Sequence, residues 1–561
     1  MGEDKVLSRS LPGGGIVETE FPLDRGGRER EVLTRFRLDP FNGAEGAEFE
    51  IDDVVLVRLA PVVEVEFGPE RSLTNVRQPV KLQVLVRHRG GGRTSGVLEA
   101  EVVHPAASVN RISLDAKVTI PQPIGEAVFD APGVHVLRAR VYRAGRLTHD
   151  LESEIVVDAP PAPGTLALEG GGMALEILPS GSGGGARAAR LWARGAGGWK
   201  DAGLLLPLVE IAVEEDGVVR RSHPALSVLE SGGHGIRLEV QEGGGSFRPE
   251  LTLGFEPGRG GAKEDLIARV TLAGPRGGRL LKLSGPTVRR VPAKGDPLDR
   301  FGLFGGVELL EPGWSSSSEK AVGPKFADRW TPHPLKICLP VMAIEEDGVT
   351  TAVLWNPLEE WSPGRRMAAA TFASPDFLEG RPEHLLQLFA PSVPELVDEN
   401  GTLARRPFVL GEEPVKLSMA IHAAAGEPVI EAARRWYERF GVPEPPPAPH
   451  DDKATHDLIA RSYGETVWWP EDKGWRHHWF LDRSSSFRPD MAAELLLHAK
   501  RTGERRWIEA TGLDPSRSLI ETAGTLWDRA AGSAPGASAS ARAMRDDGTH
   551  AYHDSPSVTP W

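Results

Sequence analysis

The stretch 465–484 reads Glu-Thr-Val-Trp-Trp-Pro-Glu-Asp-Lys-Gly-Trp-Arg-His-His-Trp-Phe-Leu-Asp-Arg-Ser and concentrates groups that could do chemistry. Four of the chain's 14 tryptophans lie in it: Trp468, Trp469, Trp475 and Trp479. Around them are Glu465, Glu471, Asp472, His477, His478, Asp482 and Arg483. An indole face suits the apolar C–H face of a pyranose, and carboxylates and a guanidinium suit its hydroxyls. The segment therefore points to a sugar ligand. Candidate binding residues are Trp468, Trp469, Trp475, Trp479 and Arg483. Asp482 and His477 are the candidate acid or base, because proton transfer near neutral pH uses carboxylate and imidazole side chains. A structural reading competes: the tryptophans pack one domain against another, and His477 and His478 are a solvated or hydrogen-bonded pair.

Other groups are weaker candidates. Glu308, Glu311 and Trp314 follow the glycine-rich Phe301-Gly-Leu-Phe-Gly-Gly306, where the backbone can approach another surface; they also suit turn and cap positions. Asp52 and Asp53 could hold a structural calcium ion or face solvent on a strand. His550 and His553 have a spacing that binds zinc only on a helix, and Pro556 argues against one there. The one cysteine, Cys338, excludes an internal disulfide; its neighbours Ile337 and Leu339 predict a buried thiol. No phosphate-cradling glycine loop and no nucleophile elbow appears, so no cofactor is expected.

The elements that must position these groups fall into two kinds. Up to about residue 425 the pattern alternates with period two, as in half-buried strands. Residues 1–58 read as the end of a β-sandwich. Residues 60–158 contain runs such as Val80-Lys-Leu-Gln-Val-Leu-Val86 and predict an immunoglobulin-like sandwich that serves spacing and packing. A Pro-rich linker follows, and residues 165–425 predict a large β-sandwich. Asp347-Gly348 between apolar runs predicts a hairpin. Residues 426–450 supply a linker helix, with Val429, Ala433, Trp436, Tyr437 and Phe440 at helical spacing, and a polyproline spacer. From 451 to 561 the pattern is helical, with helices over about 452–463, 489–502, from 504, and from Asp514.

Three resemblances add to this. Arg35-Phe-Arg-Leu-Asp-Pro-Phe41 followed by Ile51-Asp-Asp-Val-Val-Leu56 resembles the last strands of galactose-binding-like carbohydrate modules. Phe304-Gly-Gly-Val-Glu-Leu-Leu-Glu-Pro-Gly313, with Trp355-Asn-Pro357 further on, resembles the large bacterial sandwich domains that precede helical toroids in carbohydrate enzymes. His498-Ala-Lys-Arg-Thr-Gly-Glu-Arg-Arg-Trp-Ile508 resembles the helical hairpin of six-hairpin glycosidase-like toroids, where Thr-Gly-Glu ends one helix and an aromatic opens the next. The resemblance implies a multidomain, mainly β protein followed by an all-α, toroid-like domain. It also implies a glycoside hydrolase or a polysaccharide lyase acting on a poly- or oligosaccharide. The alternatives are a non-catalytic glycan-binding or cell-surface protein, or an inactive fragment. A six-hairpin toroid needs roughly 200 residues, so the helical domain is expected to be incomplete at its C-terminus, and the first module truncated at its front.

The formal net charge of −14 argues against nucleic acid or an anionic membrane as the main partner. No run is long and apolar enough for a membrane span. The start lacks a signal peptide's apolar core; if the front is truncated, a secreted or periplasmic location is expected. Nothing in the sequence sets an oligomeric state.

Overall fold

The computed structural model describes residues 62–441 apart from short stretches, the longest being 317–329, and beyond them 451–471, 474–475 and 489–511. Segment 1–58 with Asp52 and Asp53, the helix expected from Asp514, and His550 and His553 lie outside the described residues. The chain is mainly β and divides into two compact units, Met1–Gly441 and Val442–Trp561.

In the first unit the alternating runs form two sandwiches. In the smaller one, strands Val62–Pro69, Val80–Arg89 and Gln122–Ala127 make one sheet. Strands Ile112–Leu114, Leu98–Val102, Gly133–Arg143 and Arg146–Val157 lie in the other. Alternate side chains of both sheets, among them Phe67, Leu82, Val84, Leu98, Leu137, Val141 and Ile155, meet in one buried core, which period-two patterning requires.

The larger sandwich pairs a sheet running from Val218–Ser222 to Leu168–Gly170 with a second of nine strands, running from Leu226–Gly232 to Glu308–Leu310. Leu191, Leu205, Leu283 and Leu386 from the first sheet pack on Leu253, Ala268, Met342 and Ile421 from the second. The two sandwiches share a sheet: Val219–Arg221 pairs in parallel with His149–Leu151. Strands Val341–Glu346 and Val349–Leu354 are joined by Asp347 and Gly348, both at positive φ (53° and 66°), the conformation a two-residue hairpin turn demands.

Helix Glu431–Phe440 lies on the outer face of the nine-stranded sheet. It buries Ala432 and Trp436, with Val429 just before it, against Val341, Ala343, Ala352, Leu354 and Ala420. The Trp436 indole donates to the Trp355 carbonyl at 2.9 Å. Gly441, at φ 75°, ends the helix. Tyr437 stays 49% exposed, edge-on to Trp436.

Cys338 corrects an expectation. It is exposed, not buried. The short helical turn Pro334–Lys336 turns Ile337 inward and leaves the next residue outward, so apolar neighbours alone misled. The native protein should therefore release one equivalent of thiolate colour with Ellman's reagent without denaturant; a reaction seen only after unfolding would contradict the exposure. Among the described residues no helix is long and apolar enough to cross a membrane.

Candidate functional site

The aromatic stretch is held by the second unit. Asp451 caps helix Asp452–Arg461 by accepting from the Ala454 N–H at 2.7 Å. The chain then widens into one π-type turn, Ser462–Thr466, before strand Trp468–Trp469. That strand pairs with Gly474–Trp475, setting Trp468 opposite Trp475. Their rings meet edge to face at 4.7 Å, and the Trp475 indole donates to the Tyr463 carbonyl at 2.9 Å.

Helices Pro489–Thr502 and Arg506–Thr511 support this hairpin. Gly503, at φ 76°, closes the first of them, and its N–H reaches the Ala499 carbonyl at 2.9 Å. The tight turn swings Trp507 into a core with Trp468, Trp475, Met491 and Leu495. Trp507 comes so close to Gly464 that a Cβ there would sit 2.5 Å from the ring, so only glycine fits the π-type turn.

Residues next to each other on a strand point to opposite sides, and this sorts the tryptophans. Trp468 and Trp475 are buried, 5% and 1% exposed, with their rings against each other and the helices. In this arrangement they pack the hairpin and offer no open face. Trp469 lies on the other side, half-buried, and its indole donates to a Glu471 carboxylate oxygen at 2.7 Å. An aromatic surface beside a carboxylate is the local chemistry that remains. Trp479, His477, His478, Asp482, Arg483 and Asp472 lie outside the described residues.

The first unit holds chemistry that the alternating pattern did not announce. Where the two sandwiches meet, a network of buried ions ties them. Arg221 meets Glu66 at 3.0 Å and Glu210 at 3.2 Å, and Lys282 meets Glu210 at 3.2 Å. Arg289 binds Asp376 at 3.0 Å and Glu379 at 2.6 Å; Arg381 binds Glu379 at 2.8 Å and the Ser72 hydroxyl at 2.5 Å. Burial would raise the Glu210 carboxyl, but Lys282 and Arg221 outweigh it and hold it down at about 2. Burial pushes Glu154 up to about 8, since Arg187, 3.7 Å away, offsets only part of the cost. Burial likewise pushes His223 down to about 3.

Glu308 and Glu311 separate in the same way. Glu311 is an exposed turn residue whose carbonyl accepts from the Trp314 N–H. The Glu308 carboxyl is turned inward and pushed up to about 8 by burial, with Arg300 the opposing charge. Arg300 donates to the Ser374 carbonyl at 2.6 Å, and the Ser374 hydroxyl meets His384 Nδ1 at 2.9 Å. Arg300, Ser374 and His384 are buried, while Glu308 stays half-buried at their edge. Among the described residues no group of three or more His, Cys, Asp or Glu could hold a metal ion.

No family model matches the chain, and no curated protein matches it. Among the solved structures that match is one titled as a crystal structure of a putative aldose 1-epimerase from Escherichia coli K12. It is 12% identical, covers 45% of this chain and 100% of its own, and superposes with a TM-score of 0.23, a likeness on which no functional argument rests.

Proposed function

We propose that the protein is a carbohydrate-active enzyme, a glycoside hydrolase or polysaccharide lyase, with its sugar site on the helical unit. The observation that carries this is the pairing of the half-buried Trp469 indole with the Glu471 carboxylate, on a hairpin whose other two tryptophans are locked in the core. Ring stacking plus a hydrogen-bonding acid is how a pyranose is held. In this reading Trp479 and Arg483 also bind the sugar, and Asp482 and His477 are the candidates for an acid or base. The helical turn closed by Gly503 and Trp507 is the first hairpin of an α/α toroid.

Turnover of a polysaccharide panel by the whole chain tests the proposal. New reducing ends without unsaturated-uronate absorbance identify a hydrolase; that absorbance identifies a lyase. Binding without turnover favours a non-catalytic glycan-binding protein. Trp469→Ala should weaken glycan binding tenfold or more while leaving thermal unfolding in place, since its ring is not part of the core. Unchanged binding in that variant would remove the site from this hairpin.

A further inference from the structure

At the seam of the two sandwiches lies a pocket of about 240 Å³. An engineered cavity of about 150 Å³ accommodates benzene, and sites for drug-sized ligands run from about 300 Å³ upward. The seam pocket thus has room for one substituted six-membered ring.

Its wall has two characters. Ile211, Val213 and Phe247 give it an apolar side. Arg138, Arg220, Asp150 and Glu152 give it a polar one, with the hydroxyl-bearing Ser222 and Ser246 beside them. The arginines are already matched, and Glu152 accepts from the His223 backbone N–H at 2.9 Å. Arg138 grips Asp150 through two hydrogen bonds, of 2.6 and 2.5 Å. Arg220 meets Asp150 at 3.2 Å and Glu215 at 3.0 Å. A ligand bearing a carboxylate would have to break one of these arginine pairs. A neutral hydroxyl can use the spare N–H groups and lone pairs without breaking any.

The pocket also leads inward. Glu152 and Arg221 line both it and a smaller cavity of about 30 Å³ deeper in the seam. In that inner cavity both carboxylate oxygens of Glu154 and Nδ1 of His223 are buried without a hydrogen bond. Those residues are 2% and 7% exposed. Buried polar atoms in native proteins find partners, and a cavity of this size holds a water or two. An ordered water there would carry the hydrogen-bonding chain from the buried acid to the floor of the outer pocket.

We propose that this seam is a second ligand site, separate from the helical unit, which takes a single neutral polyhydroxylated ring of monosaccharide size. The apolar side meets the ring's C–H face. The paired arginines and acids meet its hydroxyls.

Saturation-transfer NMR on the whole chain tests this with glucose, galactose, mannose and N-acetylglucosamine as probes, and with glucuronate and alanine as charged controls. At least one neutral sugar should bind with a millimolar Kd, more tightly than either control. Ser246→Trp, which fills the mouth, should abolish that binding, and Arg138→Met should weaken it about tenfold. Ser246 is exposed, so its variant should unfold at a little-changed temperature, whereas Arg138→Met takes one partner from the buried Asp150 and is expected to unfold earlier; if it fails to fold, Ser246→Trp still decides. Trp469→Ala should leave monosaccharide binding intact. No binding of any neutral probe, preference for glucuronate or alanine, or binding lost only in Trp469→Ala would overturn the seam site. The last of these would leave the helical-unit proposal standing.

Discussion

Replacing Asp265 with alanine is expected to destabilise the first unit by about 3–5 kcal/mol, the usual cost of removing one partner from a buried ionic cluster. Asp265 is fully buried and accepts from three groups: His422 Nδ1 at 3.0 Å, Arg435 Nε at 2.9 Å and Arg439 Nη1 at 2.9 Å. Burial by itself would raise the Asp265 carboxyl; the hydrogen bond and charge of His422, with Arg435, outweigh it and lower it. Without the carboxylate, cationic side chains face one another under helix Glu431–Phe440. That helix then loses its anchor to the nine-stranded sheet, and Trp436 its shelter.

The pH dependence follows from the same contacts. The hydrogen bonds of His422 to Asp265 and Glu427 outweigh its burial and raise its pKa above 6.5. Its contribution is therefore complete below 6.5 and is lost as pH rises through the higher folded value. The Asp265 contribution is present above its ordinary 3.8 and is lost as pH falls through the lower folded value. The anchor is thus strongest between about pH 4 and 6.5. Urea unfolding followed by tryptophan fluorescence measures both effects. A loss below about 1 kcal/mol in Asp265→Ala, the size of an exposed pair, would sink the claim that this cluster holds the helix.

Glu154→Gln is expected to do the opposite and stabilise the protein, increasingly so toward alkaline pH. A carboxyl raised from 4.5 to about 8 by burial binds its proton more tightly folded than unfolded. Wild-type stability should therefore fall as pH rises from 4.5 to 8, at up to about 1.4 kcal/mol per pH unit, or roughly 4 kcal/mol over the window. His223 works against this at lower pH: it is pushed down to about 3, so its neutral form is favoured on folding, and stability rises with pH between about 3 and 6.5. Between pH 6.5 and 8 only the Glu154 effect of this pair remains. The difference in unfolding free energy between Glu154→Gln and wild type should grow by about 2 kcal/mol across that interval. Two parallel stability curves would mean that Glu154 is charged in the folded protein.

Both expectations concern charges that the alternating pattern hid, and this marks what the sequence could tell. Local rules act over a few residues and were readable as such. Period-two runs became strands; Asp347-Gly348 became the tight turn between two of them; Gly503 ended the helix Pro489–Thr502, and the tryptophan after it was drawn into the core. What a strand's second face meets is not a local property. Glu64 and Glu66 on strand Val62–Pro69, and Glu154 on Arg146–Val157, alternate with apolar residues in the way a solvent-facing edge does. They are 1%, 6% and 2% exposed because the larger sandwich covers that face: the Thr402 and Leu403 N–H groups meet Glu64, Arg221 meets Glu66, and Arg187 lies 3.7 Å from Glu154.

The aromatic hairpin divides along the same line. Adjacent tryptophans on a strand must point to opposite sides, so Trp468 and Trp469 could not share one role. Which of them faced the core was decided by Met491, Leu495 and Trp507, brought in by helices later in the chain. Strand and turn come from backbone preferences of neighbouring residues; burial comes from partners that only the folded chain brings together.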